Sequence, residues 1–189
     1  MNLSLYSISA FLILDNEGHR VLAKYYRPKS HPNALNGGEM KELATLKEQK
    51  AFEKGLWGKT KKAGGDIILY DGYLAVYKHS LDIIIYFLAS PGENELMLSA
   101  SLNSLIDAQS LLLRNQLEKR GVLENLDVVL LCLDETVDDG IILDTDAAAI
   151  ASRVSRSRPD TTDITINEQT IMNAYQTVKD RVAQRIREL

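Results

Sequence analysis

The sequence predicts an α+β fold: a five-stranded antiparallel sheet with helices on both faces, plus a C-terminal helix. Three observations carry this expectation. Residues 66–89 read as strand, tight turn, strand, strand, with Asp71-Gly72 as the dipeptide of a two-residue type I′ hairpin, since Gly tolerates φ > 0. Ile83 to Leu88, and the second half of the run from Leu3 to Leu14, are apolar on both alternating faces. A strand that is apolar on both faces has to be covered on both, so these two belong inside a sheet with helices above and below.

Taken in order, Leu3 to Leu14 is the first strand and Asp15-Asn-Glu-Gly18 its turn. His19 to Tyr26 is the hairpin partner. It is more mixed, and simple alternation puts Arg20 and Lys24 on one face, as an edge strand would have them. The breakers His31-Pro32-Asn33 and Gly37-Gly38 mark residues 28–39 as a loop. From Met40 to about Thr60 the pattern is helical: Ala44, Ala51, Phe52 and Leu56 lie near one face, and Lys47, Lys50, Glu53 and Lys54 supply the wet side. Trp57 is off the main stripe, which reads more readily as a core-boundary aromatic than as a partner contact.

Ser90, Pro91 and Glu93 form a capping-box pattern, opening a helix that runs to about Asn115. Leu98, Leu102, Leu105 and Leu112 form one stripe; Leu96, Ala100, Ile106 and Leu113 form another. A surface helix needs one apolar stripe of roughly 100°, so this wider arc predicts burial on two sides. Arg114 to Glu124 is a charged connector around Gly121, and residues 123–138 form a further helix with Gly140 at its C-terminal cap. Ile141 to Leu143 is a short extended piece. Asp144 or Thr145 caps a small helix to about Val154. The domain thus spans 1–154, with a linker at 155–166 and a helical tail at 167–189, whose apolar positions from Ile171 to Ile186 form a narrow stripe.

Composition narrows function. At 189 residues and 45% hydrophobic content the chain is an ordinary globular domain, and its net charge of −4 argues against a nucleic-acid partner. The single cysteine, Cys132, makes no disulfide framework, so a reduced compartment is expected. No apolar stretch reaches the ~18 residues of a membrane span, and the start lacks a signal pattern and the Gly of a myristoylation site. Any membrane role is therefore expected to come through partners.

The search for chemistry yields no candidate. Gly58-Lys59-Thr60 resembles the end of a phosphate-binding loop, but Glu53 stands where the earlier Gly is needed, and the triplet closes a helix rather than opening one. The acidic residues Asp134, Glu135, Asp138, Asp139, Asp144 and Asp146 lack the ligand spacing of a calcium loop. His19, His31 and His79 are scattered, and Cys132 has no companion for zinc. No catalytic residue, cofactor site or metal site is expected, which favours an interaction protein over an enzyme.

Several segments carry a resemblance. Phe11-Leu-Ile-Leu-Asp-Asn-Glu-Gly18 with Val21-Leu-Ala-Lys-Tyr-Tyr26 resembles the first hairpin of the adaptin-type small subunits of vesicle coats. Lys47 to Lys54, Gly72 to Lys78, Glu93 to Leu98 and Val137 to Leu143 are similar to the coatomer zeta branch of that family. Five segments in the right order cover about Leu5 to Val154. The resemblance implies the longin fold, a five-stranded antiparallel sheet with one helix on one face and two or more on the other. It implies a non-catalytic subunit of the COPI coat, pairing with the trunk of the gamma subunit in a heterotetramer with beta and delta. Recruitment by Arf-family GTPases would place it, from the cytoplasm, on Golgi and COPI vesicle membranes, in Golgi-to-ER retrograde and intra-Golgi transport. Ala51, Phe52, Trp57, Leu98, Leu102 and Leu105 are the candidate partner contacts. A clathrin-adaptor small chain recognising sorting peptides is the alternative. Those chains bind acidic dileucine cargo with a basic residue where this chain has Val21, and Arg20 beside it faces the other way. Relative to the family, residues 28–43 look like an insertion.

Overall fold

The computed structural model describes residues 5–26, 43–62 and 66–156. The expected 28–43 insertion (all but its last residue), the linker from 157 onward and the 167–189 tail lie outside the described residues.

Seven strands and five helices follow one another in this part of the chain. They are β1 (Ile8–Asp15), β2 (Arg20–Tyr25), α1 (Leu46–Thr60), β3 (Ile67–Tyr70), β4 (Tyr73–Ser80), β5 (Ile83–Ala89), α2 (Glu95–Leu112), α3 (Lys119–Glu124), α4 (Leu126–Thr136), β6 (Val137–Asp138), β7 (Ile141–Ile142) and α5 (Ala147–Arg156). The main sheet is antiparallel with order β2-β1-β5-β4-β3. Three strands are interior, not two: β4 joins β1 and β5, and Tyr73 to Tyr77 are buried.

The pleat sorts the core into two layers. Phe11, Ile13, Leu74, Val76, Ile83, Ile85 and Phe87 face α2, α4 and α5; Leu12, Leu14, Tyr73, Tyr77, Ile84, Tyr86 and Leu88 face α1. Helices on both faces are what the sequence predicts, and one on one side with several on the other is the layering the resemblance implies.

Two Asp-Gly dipeptides make the same turn. Asp71-Gly72 (φ 48° and 79°) joins β3 to β4 as expected. Asp139-Gly140 (φ 46° and 88°) joins β6 to β7, so Gly140 is a hairpin residue and not a helix cap. Helix α4 has already ended at Thr136, because Val137 adopts an extended conformation (φ −139°, ψ 117°). The small hairpin is pinned to the sheet: the Ile8 amide donates to the Gly140 carbonyl at 3.0 Å, and a Cβ on Gly140 would lie 2.4 Å from the Ile8 carbonyl oxygen.

Other boundaries also differ from expectation. Strand β1 begins at Ile8, and among the described residues before it Tyr6 forms an isolated bridge with Ile141. Helix α1 begins at Leu46, where Thr45 and Glu48 form a capping box. Helix α2 is capped by Asn94, whose side chain accepts from the amides of Leu96 and Met97; Ser90 only closes a turn through its carbonyl to the Glu93 amide. Asp146, not Asp144 or Thr145, caps α5, accepting from Ala148 and Ala149. The connector around Gly121 contains α3, a helix too short to show periodicity. Finally, Arg20 and Lys24 do not share a face. The β1–β2 register slips between Ile13 and Leu14, so Leu14 pairs Arg20 while Ile13 pairs Leu22. The extra residue, Val21, resets the alternation. Arg20 turns to α1 and Lys24 to α4.

Candidate interaction site

The six candidate contact residues lie on opposite sides of the sheet. Leu98, Leu102 and Leu105 are brought together, 0–2% exposed, between the sheet and helices α4 and α5. Their surface is spent on this chain's own core. The wide apolar arc of α2 has the same explanation, since α2 packs on β4 and β5 and also on α4 and α5. Within its second stripe Ile106 and Leu113 are buried, while Leu96 and Ala100 face solvent. The apolar surface that α2 leaves open is therefore Leu96 (79% exposed), Met97 and Leu111. Periodicity had marked Leu96 but not Met97 or Leu111.

The other three residues are on α1. Phe52 is buried between Tyr70 and Tyr73, with ring centroids 5.4 and 5.2 Å away. Ala51 faces outward. Trp57 is half-buried and lies flat on the β1–β2 turn, where a Cβ on Gly18 (φ +81°) would meet its ring at 2.7 Å. The Lys61 ammonium covers the ring at 4.1 Å. Trp57 is thus a core-boundary aromatic that fastens α1 to the first turn.

A buried carboxylate ties β2 to the same helix. Glu53 is 2% exposed; it accepts from Arg20 Nε at 2.9 Å and Nη2 at 2.5 Å, and from the Tyr25 hydroxyl at 2.7 Å. Burial, and then the Glu53 carboxylate, push the Tyr25 phenol well above its usual range. At the neighbouring β1–β2 turn Asp15 accepts from the amides of Glu17 and His19 and from Lys119 Nζ, at 2.8–2.9 Å. Burial would raise its pKa, but these donors outweigh it and hold the carboxyl below the usual value. Glu17 and His19 lie close enough to share a cation with Asp15, yet Asp15 already has a protein ammonium as its counter-ion.

Several of the groups that the sequence singles out for chemistry are taken up by structure. Thr60 of the Gly-Lys-Thr triplet is buried, donating to the Leu56 carbonyl and sharing a 2.7 Å hydrogen bond with the Tyr86 hydroxyl. In the acidic cluster, Asp134 pairs with Lys24, and Arg153 bridges Glu135 (2.7 Å) and Asp144 (3.0 Å). Cys132 is buried in α4, and that burial pushes its thiol up to about 12, far from the thiolate a nucleophile or metal ligand needs. Among the described residues no helix is long and apolar enough to cross a membrane.

The profile of the clathrin adaptor complex small chain family matches residues 7–160, from the start of β1 past the end of α5. The chain belongs to that family. Within it, the chain is similar to coatomer zeta subunits. The chain is 43% identical to coatomer subunit zeta of Saccharomyces cerevisiae over 82% of this chain and 80% of that one. It is 41% identical to human coatomer subunit zeta-1, covering 95% of this chain and 92% of the relative, and 40% identical to the probable coatomer subunit zeta-A of Dictyostelium discoideum, covering 96% and 97%. A chain of a homology model of the full-length AP-3 complex superposes with a TM-score of 0.59 at 16% identity, over 85% of this chain and 99% of that one. That likeness shows the adaptor small-chain fold, in agreement with the layered sheet.

Proposed function

We propose that this chain is a non-catalytic structural subunit of a COPI-type vesicle coat. The observation that carries the reading is identity of 40–43% to coatomer zeta subunits over most of both chains. In this reading it pairs with the helical trunk of a gamma-type large subunit, stands in an adaptor-like heterotetramer with beta and delta, and reaches Golgi membranes when an Arf-family GTPase recruits the complex for retrograde and intra-Golgi transport. The open apolar positions of α2, Leu96 and Met97 first, are the surface offered to the trunk in place of the buried leucines. The cargo-binding alternative loses support from Arg20, whose guanidinium is committed to Glu53.

Co-expression with the gamma trunk tests the proposal. A one-to-one complex on a sizing column is expected. A well-behaved chain that elutes apart from gamma would sink it and return the domain to a cargo-binding or regulatory role.

A further inference from the structure

The outward face of α1 has a charge pattern that differs from the rest of the molecule. Residues 46–62 carry six lysines against Glu48 and the buried Glu53, so this short stretch is +4 in a chain of net −4, and everything else together is −8. All six lysines (Lys47, Lys50, Lys54, Lys59, Lys61 and Lys62) are exposed, and none is in an ion pair among the described residues. At 3.6 residues per turn Lys47, Lys50, Lys54 and Lys61 fall within about 60° of one another, on the side opposite Phe52 and Leu56. Ala51 and Gly58 lie beside them and keep the face low; a Cβ on Gly58 would touch nothing within 4 Å. Leu46 (57% exposed) and the half-buried Trp57 border the stripe on one side.

A face that serves only to be wet mixes both signs. This one is a single-sign plane, level in the middle and bordered by an apolar residue and an indole. Such a plane is complementary to an extended negative surface. The bordering Leu46 also suits a headgroup layer, where basic side chains meet phosphates while an exposed apolar side chain rests at the boundary with the acyl chains.

We propose that the outward face of α1 docks on an anionic lipid membrane. The contact is electrostatic and weak in a single chain, and becomes effective when many copies are held side by side. It does not depend on which large subunit the chain pairs with.

The full-length chain tests this by co-sedimentation with vesicles of phosphatidylcholine alone or mixed with phosphatidylserine, at low and then rising salt. Binding only to the mixed vesicles, weakened by salt, is expected. The triple variant Lys47→Gln, Lys50→Gln, Lys54→Gln should lower the partition coefficient on the order of a hundredfold, with an unchanged thermal melt, while Arg114→Gln should lower it far less. Equal binding by the triple variant, or no binding to mixed vesicles, overturns the proposal. So does capture of soluble polyglutamate through these three lysines when the vesicles are ignored, which would make the face a site for an acidic protein instead.

Discussion

Glu53 shows what one side chain holds in place. Its carboxylate satisfies a guanidinium and a phenol that are both partly withdrawn from solvent, so removing it takes the acceptor from the Tyr25 hydroxyl and leaves Arg20 with the Gln49 side-chain oxygen at 3.3 Å. Breaking a buried pair costs ~3–5 kcal/mol; because the Arg20 side chain keeps 22% exposure, the expected cost of Glu53→Ala is about 2–3 kcal/mol. Urea unfolding should show this as a lower midpoint at unchanged slope. Asp15 makes a pH prediction. Its folded pKa lies below the ordinary 3.8, so its contribution is present above the unfolded value and is lost as pH falls through the folded one. The stability gap between the native chain and Asp15→Asn should be full at pH 6 and close progressively below about pH 4; a gap constant down to pH 2 would show that Asp15 acts only as a hydrogen-bond acceptor.

At the scale of elements, α2 offers a clean comparison. Two capping patterns stand four residues apart, and in the structure only Asn94 holds free helix amides. Asn94→Ala should cost ~1 kcal/mol and Ser90→Ala close to nothing; thermal melts of the two variants decide it. What could be read in advance follows the same logic. Strands β1 and β5 were legible because an apolar run on both faces admits few placements. The Asp-Gly signal was legible at 71–72 between two obvious strands, and was misread at 139–140, where strands of two residues leave no pattern. The β2 bulge was invisible because alternation assumes no inserted residue, and it moved Arg20 to the opposite face. Helix α3 has too few turns for periodicity to register. For Leu98, Leu102 and Leu105 the pattern showed that a face is apolar and could not show that α4 and α5 of the same chain cover it.

For the whole molecule, the distinction between covered and uncovered leucines becomes a test of assembly. Leu98→Glu would place a charge at a fully buried position of the α2 layer and should abolish the folded state, seen as loss of a cooperative melt. Leu96→Glu changes a side chain that is 79% exposed and should melt like the parent. If α2 meets the gamma trunk there, only the second variant will be a folded chain that fails to co-elute with it; co-elution at full stoichiometry would move the contact elsewhere.

The order of strands in the sheet has a consequence for synthesis. Strand β1 is made first, but its second neighbour is β5, and the pairing of Asp15 with Ile83 spans 68 residues. At ~5–20 residues per second a ribosome takes roughly 3–14 s to cover that interval. Throughout it the growing polypeptide carries a strand with apolar side chains on both faces and one hydrogen-bonding edge open. Nascent chains arrested before residue 83 should therefore depend on chaperones, and those released after residue 156, once the helices that cover both faces of the sheet have been made, should depend on them much less.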